Sequence, residues 1–391
     1  MAKVVIGLSG GVDSSVAAYL LKQQGHELTA LFMINWHDTT GVLTGDCPWD
    51  NDLMFAQLVA KKLEIPFKTV DLSGPYRKKV VDYMFSEYEK GRTPNPDVLC
   101  NREIKFDVFI DEAVKLGAEF VATGHYCRKE TFVKEGKEIH RLLAGSDNNK
   151  DQSYFLCQLS QKQLVKALFP IGDIEKPEVR AIAKKLKLAS ADKKDSQGIC
   201  FVGKVDLPVF LQQKLAPKKG EVIEIDSEYF KTKNFQNFSS LTKAVQPFLF
   251  SRNDGVKVGE HNGAHYYTIG QRKGLNIGGK PLPLFVIGTN IEDNIIYVGQ
   301  GKEHPGLFRK GLFISKDEIH YIREDLKMST GESRNYLVRH RYRQPLQKAT
   351  LHMKEEGLYI IFEQLQRGIT PGQFAAWYND DELIGSGVIQ A

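Results

Sequence analysis

Across the first 125 residues, short β-branched runs alternate with helical periodicity, a pattern that admits little but a parallel sheet wrapped by helices. Lys3 to Leu8 (KVVIGL) reads as a buried strand, followed by the polar string SGGVDSS and a helix carried by Val16, Ala17, Leu20 and Leu21 that stops near Gly25. Leu28 to Ile34, Phe67 to Asp71 and Phe120 to Thr123 read as further strands, and Met54 to Leu63, Tyr76 to Lys90 and Ile104 to Leu116 as helices. Thr93 to Cys100 reads as a loop, because two X-Pro steps disfavour helix until after Asn101. Doubly wound α/β domains of this kind bind ligands at the C-terminal ends of their strands. SGGVDSS, Met33 and Thr123-Gly124-His125 all fall at such ends.

From Asp151 to Leu188 the pattern is mostly helical, and Ala189 to Gly203 is polar and loop-like. After about Val205 the texture changes to short strands separated by Gly, Asn and Asp turns. The expected fold class is therefore α/β plus β: a doubly wound parallel-sheet domain over residues 1–205, a small β-rich middle domain over 206–285, and a C-terminal β-barrel over 286–391. No internal repeat or low-complexity tract stands out.

Lys and Arg number 53 against 48 Asp and Glu, a net charge of +5 that is too mild to announce nucleic acid by itself. A local basic stripe can still bind phosphates, because affinity depends on where the charges sit. No segment reaches the roughly 18 consecutive apolar residues of a membrane span, and the N-terminus turns glycine-rich before a signal-peptide core can form. The chain is expected to stay in the cytoplasm with no membrane partner. Five widely spaced cysteines without a Cys-x-x-Cys pair argue against both a disulfide scaffold and zinc, and no metal-ligating set is predicted.

The string Ser9-Gly10-Gly11-Val12-Asp13-Ser14-Ser15 places backbone N–H groups and a helix N-terminus where an anion can dock. It lacks the Gly-Lys-Ser/Thr ending of a Walker loop and does not match Gly-x-Gly-x-x-Gly. An ordinary strand-to-helix turn capped by Ser or Asp is the alternative; the whole string after an apolar strand favours phosphate. It resembles the PP-loop (SGGxDS) of enzymes that use ATP to adenylate an oxygen atom and release pyrophosphate. In such a loop Asp13 would help to hold Mg²⁺ against the phosphates.

Cys100 lies in NPDVLCN and Cys200 closes DSQGIC, both polar and aperiodic settings where a thiol gains more from reactivity than from packing. Cys47, Cys127 and Cys157 read instead as small apolar residues, Cys47 in the most loop-like surroundings. An ATP site that activates a carbonyl oxygen, joined to two reactive thiols, suggests sulfur insertion. One thiol would carry the transferable sulfur as a persulfide while the other frees it or handles protons.

SGGVDSS, ALFMINW, TPNPDVLCNREIKF, ATGHY, NKDQSYFL, DSQGICFVG, YTIGQRKGL, RYRQP and TPGQ follow one another along essentially the whole chain. In this order they resemble the tRNA-specific 2-thiouridylases, which thiolate the wobble uridine of certain tRNA anticodons. The resemblance implies that Gly7, Leu8, Ser9, Gly10, Gly11, Val12, Asp13 and Ser14, with Met33 and Gly124, bind ATP. It implies that Asn95, Pro96 and Asp97 meet the target base and that His125 lies beside the RNA. It also implies that Cys200 bears the persulfide, with Cys100 as nucleophile or acid/base partner, and that Lys150, Asp151, Gln152, Arg341, Tyr342 and Gln373 contact tRNA. A persulfide carrier or cysteine desulfurase relay would load Cys200.

Some residues admit two readings. In Val338 to Arg343 an extended chain would put Arg339, Arg341 and Arg343 on one face, suited either to a phosphate backbone or to a charged strand edge. Gly270 to Gly274 (GQRKG) is a basic turn or an RNA contact. Asp97 is a cap or a proton acceptor. His261, His265 and His304 read as structural or surface residues. A stretch around 228–253, rich in Phe, Lys and Asn, is longer than the family pattern and is expected to leave the chemistry intact. Two further functions compete: a PP-loop amide or C–N ligase of the argininosuccinate or asparagine synthetase type, which would need neither Cys100 nor Cys200, and a nucleotide-sensing RNA-binding protein.

Overall fold

Strands β1 (Lys3–Gly7), β2 (Glu27–Ile34), β3 (Phe67–Asp71) and β4 (Phe120–Ala122) form the expected parallel sheet in a computed structural model that describes residues 1–38, 49–195, 198–203, 205–232 and 238–390. A hairpin follows, β5 (Cys127–Lys134) and β6 (Lys137–Ala144), and then a short strand β7 (Ala167–Leu168) that completes the sheet in the order β3-β2-β1-β4-β7. The chain runs outward from β1 to β3 and returns on the other side of β1. The strand order therefore reverses between β1 and β4, whose carboxyl ends flank the crevice where such sheets bind ligands. Alternation along β1 explains its burial on both sides. Val4 and Ile6 pack with Val16, Ala17 and Leu21 of helix α1 (Val12–Gln23), while Val5 faces Tyr76, Cys100 and Phe109.

Three sequence expectations are corrected. The segment read as a loop up to Asn101 is already helical from Pro96. Asn95 caps it, its side chain accepting from Val98 N at 3.2 Å, and Pro96 occupies the first turn, where its missing N–H costs nothing. Helix then continues through Pro96–Cys100, a widened π-helical stretch Asn101–Val108, and Phe109–Lys115. Asp151 to Leu188, read as mostly helical, holds only two short α-helices (Gln161–Leu164 and Lys176–Lys185), a 3₁₀ turn and β7. Pro170 cannot continue a helix, and a side chain at Gly172 would lie 1.9 Å from the Cys127 carbonyl oxygen. Third, the middle sheet pairs Leu284–Asn290 and Ile295–Gln300 with Gly220–Glu224 and Val256–His261, so the expected boundary at 285/286 cuts through one sheet.

The remaining strands, from Phe308–Ser315 to Glu382–Val388, form the C-terminal antiparallel sheet, and Gln390 N donates to Phe313 O at 2.9 Å, bringing the chain's end beside the first of them. The β5–β6 hairpin joins this sheet rather than its own domain, through Leu142 and Leu143 against Leu383 and Glu382. Its turn, Glu135-Gly136, has both residues at positive φ, the geometry that suits a two-residue hairpin. The stretch around 228–253 contributes helices Glu228–Thr232 and Leu241–Val245, and Phe230 and Phe250 pack on the middle sheet. Its Pro247 to Phe250 line one cavity with Arg92 and Thr93, at the start of the Cys100 segment; residues 233–237, like Cys47, fall outside the described residues.

Charge also fastens the first domain to the C-terminal sheet. Arg339 pairs with Asp151 at 3.0 Å and lies over the Tyr378 ring, all buried. Asp151 also accepts from Gly145 N and Ser153 N. Asp151→Ala strands the Arg339 guanidinium, and the unfolding free energy in urea should fall by about 3–5 kcal/mol. A loss under about 1 kcal/mol would show that the pair is not structural.

Candidate active site

At the switch point, Leu8 N is held by Leu31 O, and the chain turns sharply into α1. Ser14 Oγ accepts from Ser9 N at 3.2 Å and donates to Gly11 O at 3.2 Å, which closes the turn from inside. Gly10 sits at φ +74°, and a Cβ there would lie 2.1 Å from Asp52 O. Gly124, after β4, approaches the same loop so closely that its Cβ would meet Ser14 N at 2.6 Å. The N-cap of α1 is Gly11 with no side-chain cap, which leaves the first-turn N–H groups to an outside acceptor. Gly7, Leu8, Val12 and Met33 are buried beneath this turn, so only Ser9, Gly11 and Asp13 of the loop reach solvent appreciably.

Asp13 is not free. It accepts from Lys176 Nζ at 2.7 and 2.8 Å and from Tyr126 Oη at 2.7 Å. Both oxygens are thus engaged, so a Mg²⁺ in the role read from the sequence would share this carboxylate with the Lys176 ammonium. The same Lys176 reaches Asp195 at 2.8 Å, where Lys150 and Arg180 also converge at 2.6 and 2.9 Å. Burial alone would raise the Asp195 carboxyl, but bonds from Lys150 and Lys176 outweigh it and hold it at about 2. Lys193 adds a further cation, pairing with Asp52 and donating to Gly10 O at 3.4 Å.

The two sequence-predicted cysteines meet. Cys100 is fully buried on its helix, whereas Cys200 is partly exposed on a tight turn in which Ile199 pairs with Gly203 and Phe201 takes φ +66°. Tyr76 Oη donates to Cys200 O at 2.6 Å and Cys200 N donates to Asp97 Oδ1 at 3.0 Å, so the residue is gripped on both backbone sides. Both cysteines are free thiols. Burial drives the Cys100 thiol well above its ordinary range, and the adjoining Cys200 adds to this. Cys200 moves the other way, lowered first by its contact with Cys100 and then by the Lys105 ammonium against the opposing effect of burial. Burial raises Asp97. Desolvation would lower Lys105, but Cys200, Cys100 and Asp97 more than offset it. The sequence reading missed Lys105, Lys176 and Tyr76; for Lys105 the only signal was a lysine five residues after Cys100.

Other residues read as base or tRNA contacts also have partners within the chain. Asn95 donates to Gln373 Oε1 at 3.3 Å, and Gln373 donates to Thr93 O and Pro94 O at 2.9 and 3.1 Å, so Gln373 braces the loop that leads to Pro96. His125 is buried, its Nδ1 2.8 Å from Thr123 Oγ1, and burial keeps it neutral. Gln152 accepts from Tyr126 N, and Arg341 donates to Gly368 O and Ile269 O. Tyr342 packs on Phe155 with ring centroids 4.2 Å apart. The single face of Arg339, Arg341 and Arg343 does not form, because the strand ends at Arg339, whose charge is claimed by Asp151, and the chain then turns. Arg272 and Lys273 point to solvent on their turn. Cys127 and Cys157 are core residues, as expected, and His261 and His304 accept from backbone N–H groups of nearby turns. No helix among the described residues is long and apolar enough to cross a membrane.

Residues 2–204 match the family model described as tRNA methyl transferase HUP domain, 245–300 the tRNA methyl transferase PRC-barrel domain, and 312–389 the aminomethyltransferase beta-barrel domain. The chain is 59% identical to a tRNA-specific 2-thiouridylase of Christiangramia forsetii and 58% identical to that of Flavobacterium johnsoniae, in both cases over 100% of each chain. A Karelsulcia muelleri tRNA-specific 2-thiouridylase is 47% identical over 99% of this chain and 98% of its own.

Tyr76→Phe removes one hand of the grip on Cys200 without emptying the core. Losing a bond worth about 1 kcal/mol should speed amide exchange across residues 199–203 roughly fivefold, read by hydrogen–deuterium exchange mass spectrometry. Unchanged exchange there would mean that the hydroxyl does not hold the turn.

Proposed function

We infer the reaction from one premise: this chain belongs to the tRNA-specific 2-thiouridylase family, and it exchanges the 2-oxygen of a tRNA uridine for sulfur. The target in our reading is the wobble uridine of the anticodon. ATP docks on the turn Ser9–Ser14, its phosphates facing the uncapped N-terminus of α1 and the Lys176 and Lys193 ammonium groups. Mg²⁺ would travel with the phosphates and supply charge neutralisation there, beside an Asp13 carboxylate already bonded to Lys176 and Tyr126.

Uracil O2 attacks the α-phosphorus, an O–P bond forms and pyrophosphate leaves. The terminal sulfur of a Cys200 persulfide then attacks C2, and AMP departs with the former O2. Cys100, protonated in its buried position, is placed to supply a proton. Once deprotonated it is equally placed to attack Cys200 Sγ, which frees the sulfur on C2 and leaves a Cys100–Cys200 disulfide for a cellular dithiol to reduce. The base must leave its stack to enter, as single-stranded anticodon loops permit. A persulfide carrier or cysteine desulfurase relay loads Cys200.

One observation carries this reading: two free thiols from segments a hundred residues apart adjoin each other with opposite shifts in acidity, on a segment whose Asp195 is tied through Lys176 to the nucleotide turn. A C–N ligase has no use for that pair, and a passive RNA-binding module has no use for either half.

Cys200→Ser should form no 2-thiouridine, with at least a hundredfold loss by nucleoside mass spectrometry, while tRNA-dependent pyrophosphate release from ATP persists. Thiolation at the wild-type rate would remove Cys200 from the sulfur path, and full activity of the Cys100→Ser/Cys200→Ser double variant would favour the ligase.

A further inference from the structure

Among the described residues, Lys105 is the cation that acts on both thiols, and sulfur transfer as drawn gives it no role. Lys105 follows Cys100 by five residues on the same helical run, and the intervening stretch Asn101–Val108 is π-helical. In an α-helix, positions i and i+5 point well apart; widening the helix to i+5 bonding brings residue i+5 back toward the face of residue i, and such widened turns gather at functional sites. The register thus delivers the Lys105 ammonium to the thiol pair. Its Nζ lies 5.4 Å from the centroid of the Phe201 ring, the residue next to Cys200.

What answers the Lys105 charge is equally specific. Among the described residues no carboxylate lies within ion-pair distance of it, and its opposite charges are Cys200, Cys100 and Asp97. Asp97 is half-buried with its Oδ1 occupied by Cys200 N, so on its own it would oppose a negative sulfur beside it. Tyr76 meets Cys200 through its backbone carbonyl, and His125 stays neutral, first by burial and then by the Lys105 charge itself. Among the described residues the pocket therefore sets the Lys105 ammonium against the Asp97 carboxylate and the two thiols, of which only Cys200 is shifted toward the anion.

We propose that Lys105 is the positioning residue that keeps the Cys200 sulfur anionic, poised to accept sulfur from a persulfide donor. The assignment rests on the sulfur-transfer reading above and adds to it the group that readies Cys200. In the loading step the Cys200 thiolate attacks the terminal sulfur of a donor persulfide, R–S–SH. A bond forms between Cys200 Sγ and that sulfur, the donor S–S bond breaks, and the donor leaves as R–S⁻. The proton passes to R–S⁻ and the new persulfide stays anionic beside Lys105.

The test uses the full chain without tRNA or ATP and follows iodoacetamide alkylation of each cysteine by peptide mass spectrometry from pH 5 to 10. In the wild type Cys200 should react at neutral pH at least tenfold faster than Cys100. Lys105→Met should move the Cys200 midpoint upward by about one pH unit or more, a tenfold slower reaction at pH 6–7, and Lys105→Arg should restore most of it. A Lys105→Met profile that superimposes on the wild type overturns the proposal. Cys127 and Cys157 are internal controls, since both stay unlabelled while the fold is intact. If Lys105→Met exposes them, Asp97→Asn decides: removing the opposing carboxylate should move the Cys200 midpoint downward, and no movement overturns the proposal. A chain that shows these shifts yet makes no 2-thiouridine with tRNA, ATP and a persulfide donor would refute the thiolation reading and leave the Lys105 assignment standing.

Discussion

One buried lysine joins the two halves of the candidate site. Lys176, at the start of its helix, donates to Asp13 in the nucleotide turn and to Asp195 on the segment that leads to Cys200. The buried lysine would be costly alone, and the two partly exposed carboxylates supply its counter-charge. A polyanion docked on α1 would meet Lys176 already committed to two carboxylates, so occupancy of the nucleotide turn and the placement of the Cys200 segment are tied by the same charge. The convergence of Lys150 and Arg180 on Asp195 keeps that carboxylate ionised even if Lys176 turns toward phosphate.

A second set of buried charges explains why the site is built across domains. Arg339 meets Asp151, Glu382 meets both Arg323 and Arg141, and the β5–β6 hairpin of the first domain completes the C-terminal sheet. Gln373 reaches back from that sheet to the carbonyls of Thr93 and Pro94, which set the entry to the Cys100 helix. Residues that the family resemblance assigns to RNA contact thus already serve as joints. Both roles are compatible where a side chain keeps an exposed edge, as Lys150 does; Asp151, at 5% exposed, has little surface left for a partner.

Much of this was legible in the sequence. The period-2 and period-3.6 runs gave every strand of the parallel sheet except the two-residue β7, too short to carry a period. The glycines of the nucleotide turn announced themselves because close approach and positive φ exclude other residues, as Gly10 and Gly124 show. The helical start at Pro96 was misread because proline was taken as a breaker when it stood at the first turn behind an asparagine cap. The β5–β6 hairpin was overlooked because its charged, half-exposed strands lack an apolar face, although Glu135-Gly136 carried the turn signal. The middle boundary failed for a different reason: parallel pairing of Ile295–Gln300 with Gly220–Glu224 is a long-range fact that no local window contains.

Lys105 was invisible for the most instructive reason. On α-helical spacing it points away from Cys100, and the widened stretch Asn101–Val108 carries it round. That local distortion costs backbone hydrogen-bond quality and is retained where Ile104, Phe106 and Phe109 are all fully buried. The same packing that leaves no solvent at Cys100 forces its thiol to stay protonated, while the strained turn at Phe201 lifts Cys200 toward the surface and the ammonium. Two chemically identical side chains acquire different acidities because burial and the neighbouring Cys200 both raise Cys100, whereas contact with Cys100 and the Lys105 ammonium outweigh burial at Cys200. Reactivity at this site is thus a consequence of where secondary structure ends.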